Sequence, residues 1–207
     1  MFSKLQYISQ GETAAAQLKN INEALDAGCS WIQLRFKNAE EHEIKASAEE
    51  VKKICDTYSA TFIINDHPLI AKAVDADGVH LGLTDMKILE AKNIAGENKI
   101  IGGTANTLQD VLQRVEEGCN YVGLGPLRFT TTKAQLSPVL GFAGYKYITD
   151  ELQQLNIDIP IYAIGCIVTE DISSILQTGI YGIAVSGIIT QHPNKKELVK
   201  EINAYML

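Results

Sequence analysis

The chain has 207 residues, 46% of them hydrophobic and 21% charged, and carries a formal net charge of −7. That is enough for one domain with a sizeable core and the composition of an ordinary soluble globular protein. The negative charge argues against general nucleic-acid binding, and no run approaches the roughly 18 apolar residues of a membrane span. The N-terminal Met-Phe-Ser-Lys-Leu-Gln-Tyr lacks the basic and apolar regions of a signal peptide. Cys29, Cys55, Cys119 and Cys166 are scattered without a Cys-x-x-Cys pairing, which suits free thiols in a reducing cytoplasm. An anionic small substrate would need a locally basic pocket, with Arg35, Lys37, Arg128 and Lys133 as candidates.

Apolar strand-like runs alternate with helical patterns eight times along the chain. The spacing predicts strands over Lys4–Ser9, Trp31–Lys37, Thr61–Asp66, Gly78–Leu83, Lys99–Thr104, Tyr121–Pro126, Pro160–Gly165 and Gly182–Ile188. Helical patterns fill the intervals at Ala14–Ala27, Glu40–Tyr58, Leu69–Ala73, Met86–Ala95, Leu108–Glu117, Phe142–Leu155, Glu170–Gln177 and Lys195–Tyr205. Gly28, Gly118 and Gly179 suit C-caps, and Thr107 and Thr169 suit N-caps. Strands alternating with helices imply a parallel sheet. Eight units of about 26 residues fit a single-domain (β/α)8 TIM barrel over residues 1–207. An open doubly wound sheet usually carries a glycine-rich first turn, which Ser9-Gln-Gly-Glu-Thr13 is not.

Barrel active sites gather at the C-terminal ends of the strands. On the second strand Gln33, Arg35 and Lys37 share one face, because side chains alternate with period two. In a barrel that face points inward, where the trio suits anion binding, while Ile32, Leu34 and Phe36 pack on helices. The third strand ends at Asn65-Asp66 and the fourth leads to Asp85. Each aspartate could cap the following helix, or the two could supply hard oxygen ligands to Mg2+, with phosphates completing the shell. Thr104 and Asn106 close the fifth strand. The sixth opens into a loop with Arg128, Thr130, Thr131, Thr132 and Lys133, either a solvated loop or a phosphate clamp. Gly165-Cys166 and Val185-Ser186-Gly187 end the last two strands, where backbone N–H groups commonly bind phosphate. His80, in mid-strand, reads as a buried structural histidine, and no base accompanies Cys166 for thiolate chemistry.

Six motifs in order carry a resemblance: Gln-Leu-Arg-Phe-Lys37, Asn-Asp66, Asp-Gly-Val-His-Leu-Gly82, Gly-Pro126 followed by Thr-Thr-Thr-Lys133, Ala-Ile-Gly165, and Gly-Ile-Ala-Val-Ser186. In this order the chain resembles the thiamin phosphate synthase family over roughly residues 5 to 190. The resemblance implies a (β/α)8 transferase joining 4-amino-5-hydroxymethyl-2-methylpyrimidine diphosphate to thiazole phosphate, plain or carboxylated, with Mg2+ and loss of pyrophosphate. It implies that Gln33, Arg35, Lys37 and Asn65 hold the pyrimidine diphosphate, that Asp66 and Asp85 bind Mg2+, and that Thr104 faces the pyrimidine. Thr130, Thr132 and Lys133 would contact phosphate, and Cys166, Val185 and Ser186 would hold the thiazole phosphate. Arg35, Lys37 and Lys133 would neutralise the leaving diphosphate. The implied partners are small molecules, with neither nucleic acid nor membrane, and a homo-oligomer is left open.

The chain departs from the family pattern at Cys166 (usually glycine), Asn106 (often histidine), Leu83 (glutamine), Leu69 (aspartate) and Arg128-Phe129 (an aromatic-proline pair). Three alternatives stand beside this expectation. A related thiazole tautomerase resembles Gly-His where this chain has Gly125-Pro126. A phosphosugar isomerase would need a facing acid and base. A non-catalytic regulator binding thiazole phosphate would not need both aspartates.

Overall fold

A computed structural model describes residues 2–129 and 139–206. Eight parallel strands close into a barrel in sequence order: β1 (Leu5–Ile8), β2 (Trp31–Leu34), β3 (Thr61–Asn65), β4 (Gly78–Leu81), β5 (Ile100–Ala105), β6 (Tyr121–Leu124), β7 (Ile161–Ala163) and β8 (Gly182–Val185). Between and after them run α1 (Ala14–Asp26), α2 (Glu41–Thr57), α3 (Pro68–Ala73), α4 (Ile88–Ala95), α5 (Leu108–Glu116), α6 (Gly141–Gln154), α7 (Ile172–Gln177), α8 (Gly187–Thr190) and α9 (Lys195–Ala204). The fold is the expected (β/α)8 barrel.

Local chemistry sets the helix ends. Thr107 caps α5 by accepting from the Asp110 N–H, and the Asp110 carboxylate returns a bond to the Thr107 N–H. Gly28, Gly118 and Gly179 take φ of 106°, 76° and 90°, a region open to glycine at little cost. Several strands end earlier than expected, and β2 stops at Leu34, β4 at Leu81, β6 at Leu124 and β7 at Ala163. The run Gly182–Ile188 is apolar apart from Ser186, and periodicity alone cannot part a strand from a helix there. The strand stops at Val185, and α8 begins at Gly187. Thr169 is not a cap either. It opens a 3-10 turn (Thr169–Asp171) in which the Asp171 carboxylate accepts from the Val168 N–H.

Alternation along the strands produces two cores. Outward residues such as Ile32, Leu34, Phe36, Phe62, Ile64, Val79 and Val122 pack against the helices. Inward residues at the N-terminal end of the lumen form a separate cluster of Trp31, Ile63, Tyr121, Tyr162 and Ala184, with Phe2 and Tyr181 against it. The Trp31 ring lies 5.0 Å from Phe2, 5.0 Å from Tyr121 and 5.1 Å from Tyr162. Aromatic pairs of this kind contribute about 0.5–1.5 kcal/mol each beyond their buried area. Among the described residues, this cluster fills the lower end of the lumen.

Candidate active site

The inward positions change character one layer above the aromatic plug. Gln33 on β2 is buried and donates through Nε2 to Asn65 Oδ1 on β3 (2.8 Å), while its Oε1 meets no partner among the described residues. A buried acceptor without a donor is costly unless a ligand supplies one. Arg35 follows one step further out. Its N–H donates to Ser9 Oγ (2.9 Å), and its carbonyl accepts from Gln17 Nε2 (3.3 Å), so its backbone is fixed beyond the end of β2. Burial lowers the guanidinium pKa, opposed by the nearby Asp66 charge.

Asp66 stands at the end of β3 with φ +66°, a conformation rarely taken by non-glycine residues outside asparagine and aspartate. Its carboxyl group is in hydrogen-bonding contact with that of Asp85, and Lys37 Nζ lies 3.9 Å from its Oδ2. Burial first, then Asp85, pushes the Asp66 carboxyl up to about 7. Neither aspartate serves as a helix cap. His67 and Pro68 begin α3, and Asp85 folds back so that Oδ2 accepts from the Gly82 N–H (2.6 Å). The loops thus turn two acidic side chains toward each other at the mouth. Among the described residues no group of three or more His, Cys, Asp or Glu could hold a metal ion. Two carboxylates with room for water or phosphate oxygens fit Mg2+, which rarely takes an all-protein cage.

A cavity of about 690 Å3 extends from this corner across the mouth. Arg35 and Lys37 line one side, and Gly165, Cys166, Ser186 and Gly187 line the other. Lys37 also lines a smaller cavity of about 200 Å3 with Asn65 and Asp66. Cys166 is exposed, with φ +50°, and its thiol is free. At Gly165 (φ +99°) a Cβ would sit 2.5 Å from that of Pro126, so only glycine lets this loop press against the β6 end. Val185 packs its side chain into the outer core, leaving its backbone to face the cavity. Ser186 Oγ lies 3.3 Å from Gln10 Oε1. Thr104 lies on the inner face of β5, 3.0 Å from His80 Nε2, and His80 is buried and bonded as expected.

Arg128 departs from the basic-pocket expectation. Its guanidinium grips Asp171 with both nitrogens at 2.5 Å, and Nη1 also reaches the Cys166 carbonyl (3.3 Å). The positive charge is spent holding the loop after β7 and does not line the cavity. Asn106 donates to the Gly125 carbonyl, bracing the β5 and β6 ends. A further residue escaped sequence reasoning. Arg114, nearly buried on α5, donates to the carbonyls of Thr104 (3.1 Å) and Gly82 (3.2 Å) and pairs with Glu117 (2.6 Å). Glutamate three residues on was the only local signal. Thr130, Thr132 and Lys133 lie outside the described residues.

The family model for thiamine monophosphate synthase matches residues 5–189. The chain belongs to that family. It is 57% identical to the thiamine-phosphate synthase of Flavobacterium psychrophilum over 203 residues, covering 98% of each chain. Its identity to the Flavobacterium johnsoniae thiamine-phosphate synthase is 55%, covering 98% of this chain and 96% of the relative. Among solved structures, the thiamine phosphate pyrophosphorylase of Pyrococcus furiosus superposes with a TM-score of 0.85 at 32% identity, covering 98% and 95% of the two chains. The protein is an enzyme, and by its family a transferase. No helix of the described residues is long and apolar enough to cross a membrane.

Proposed function

We propose that this barrel joins 4-amino-5-hydroxymethyl-2-methylpyrimidine diphosphate to 4-methyl-5-(2-hydroxyethyl)thiazole phosphate, plain or carboxylated, yielding thiamin phosphate and pyrophosphate. The supporting observation is the single cavity that places Arg35 and Lys37 opposite the Gly165–Cys166 and Ser186–Gly187 backbone. Such a cavity offers a cationic wall to a departing diphosphate and main-chain N–H groups to a monophosphate, with both substrates in one space.

Asp66 and Asp85 would hold Mg2+, which when bound offsets charge building on the diphosphate oxygens. Gln33 and Asn65 hold the pyrimidine half, and the bare Gln33 Oε1 suits its amino group. Thr104 faces the ring. Arg35 and Lys37, with Lys133 and the hydroxyls of Thr130 and Thr132, stabilise the leaving group as the carbon–oxygen bond breaks. The aminopyrimidine is electron-rich enough to bear the cation left behind, and the thiazole nitrogen then attacks the exocyclic carbon. No protein nucleophile enters, so Cys166 contributes its backbone and not its thiol, alongside Val185 and Ser186. We place this chemistry in one domain and in the cytoplasm, where reduced thiols persist.

The test is incubation of the purified protein with both substrates and Mg2+, following thiamin phosphate by chromatography. Formation of thiamin phosphate with stoichiometric pyrophosphate is expected. No product, or equal turnover after chelation of divalent ions, would overturn the proposal.

A further inference from the structure

Four buried side chains link the aromatic plug to the polar mouth. Gln6 on β1 donates through Nε2 to the Tyr121 hydroxyl on β6 (3.2 Å). That hydroxyl lies 3.0 Å from His80 Nδ1 on β4, and His80 Nε2 lies 3.0 Å from Thr104 Oγ1 on β5. The Tyr121 ring is wholly buried, and Gln6, His80 and Thr104 are each at most 7% exposed.

The contact between His80 and Tyr121 depends on a missing side chain. β5 runs between β4 and β6, and its Gly102 is in register with His80 on one side and Tyr121 on the other. A Cβ at Gly102 would sit 2.2 Å from Tyr121 Cζ and 2.5 Å from its oxygen. The two rings therefore meet across a strand that carries no side chain at that level. Gly123 likewise leaves room beside His80, where a Cβ would lie 3.3 Å from Cε1.

Each hydrogen bond constrains the next. The Tyr121 oxygen accepts from Gln6, and its own proton is free to point to His80 Nδ1, one of the two arrangements the 3.0 Å distance allows. A neutral imidazole that accepts at Nδ1 carries its proton on Nε2 and donates there. Thr104 Oγ1 then accepts from below, which turns its hydroxyl proton away from His80. We propose that Gln6, Tyr121 and His80 are positioning residues that fix Thr104 as a hydrogen-bond donor to a ring nitrogen of the pyrimidine substrate. This rests on the functional reading above, in which Thr104 faces that ring. Low local dielectric strengthens such an ordered chain and penalises the reversed arrangement, in which Thr104 would repel a ring nitrogen lone pair.

Two measurements decide it. In protein labelled with 15N-histidine, the ring nitrogens of His80, assigned against His80→Gln, should report a neutral Nε2–H tautomer. An Nδ1–H tautomer in a protein with normal turnover would overturn the relay alone. In a double-mutant cycle, Thr104→Val should lower kcat/KM about tenfold and Tyr121→Phe about fivefold, the scale of one hydrogen bond. The double variant should be no worse than Thr104→Val, because Tyr121 acts only through Thr104. Thr104→Ser, which keeps the hydroxyl, should stay within about twofold of wild type. Multiplying effects in the cycle, with folding intact by circular dichroism, would mean that Tyr121 acts by packing and would overturn the proposal. A wild-type protein that forms no thiamin phosphate would instead remove the functional reading.

Discussion

The two halves of the barrel lumen are built on opposite terms. Below, Trp31, Tyr121, Tyr162 and Phe2 fill space ring against ring. Above, Gln33, Asn65, His80 and Thr104 fill the same circumference with donors and acceptors. Both layers occupy inward positions of the same strands, often two residues apart: Trp31 and Gln33, Ile63 and Asn65. The rise of a strand is about 3.3 Å per residue, so roughly 7 Å separates the packed aromatic layer from the polar one that carries the proposed chemistry. Tyr121 spans the boundary, its ring in the plug and its hydroxyl in the polar layer.

If the contrast is sound, damage below should appear as lost stability and damage above as lost turnover. Trp31→Ala removes the ring at the centre of the plug and should cost about 3–5 kcal/mol by chemical denaturation. Turnover per folded molecule should stay within a few-fold. A variant of normal stability, or one folded but inactive, would erase the division. Asp66→Ala should act the other way. Turnover should fall by about 10²–10³ and its dependence on Mg2+ should weaken, as for loss of a principal charge-stabilising element. Stability should not fall, since Asp66 is held above its ordinary pKa by burial and by Asp85.

The Arg128–Asp171 clamp lies outside both layers and tests where the loop ends belong. Arg128 holds the Asp171 carboxyl below its ordinary range, chiefly through their direct hydrogen bond. A depressed carboxylate stabilises the fold above its unfolded pKa of about 4 and loses that contribution as pH falls through the folded value. Asp171→Asn should therefore cost roughly 1–2 kcal/mol at pH 7, allowing for the exposed side of Arg128. The gap from wild type should narrow in acid below about pH 4. A gap independent of pH would show that the pair contributes through packing. The smallest effect should be at Cys166. Its thiol is assigned no chemistry, so Cys166→Ala should hold activity within roughly tenfold, or about 1.4 kcal/mol. Abolished turnover in a folded protein would return the thiol to the reaction.

The barrel was legible because eight strand-like runs at even spacing leave few alternatives, and Ile32, Leu34 and Phe36 do face the helices as period two requires. The inward placement of Gln33 followed from period two, whereas Asp66 and Asp85, each open to a capping role in the sequence, are brought together by the loops after β3 and β4. Contacts between distant loops were not legible. Nothing near Arg128 marks Asp171, 43 residues away, as its partner, so its charge looked available to a ligand. Nothing beside Gly102 in the sequence marks its importance, because the ring that needs its space lies on the next strand. Little near Arg114 marks its role, because the carbonyls it reaches are 10 and 32 residues back along the chain.

That arginine has a mechanical consequence. Its guanidinium ties the end of β5 at Thr104 to the turn after β4 at Gly82, and the Gly82 N–H is held in turn by Asp85. The Thr104 side of the mouth and the Asp85 side therefore share one bracket. On the proposed function, that bracket would keep the group facing the pyrimidine and the carboxylates that hold the metal at one spacing, whatever the shape of the cavity opposite.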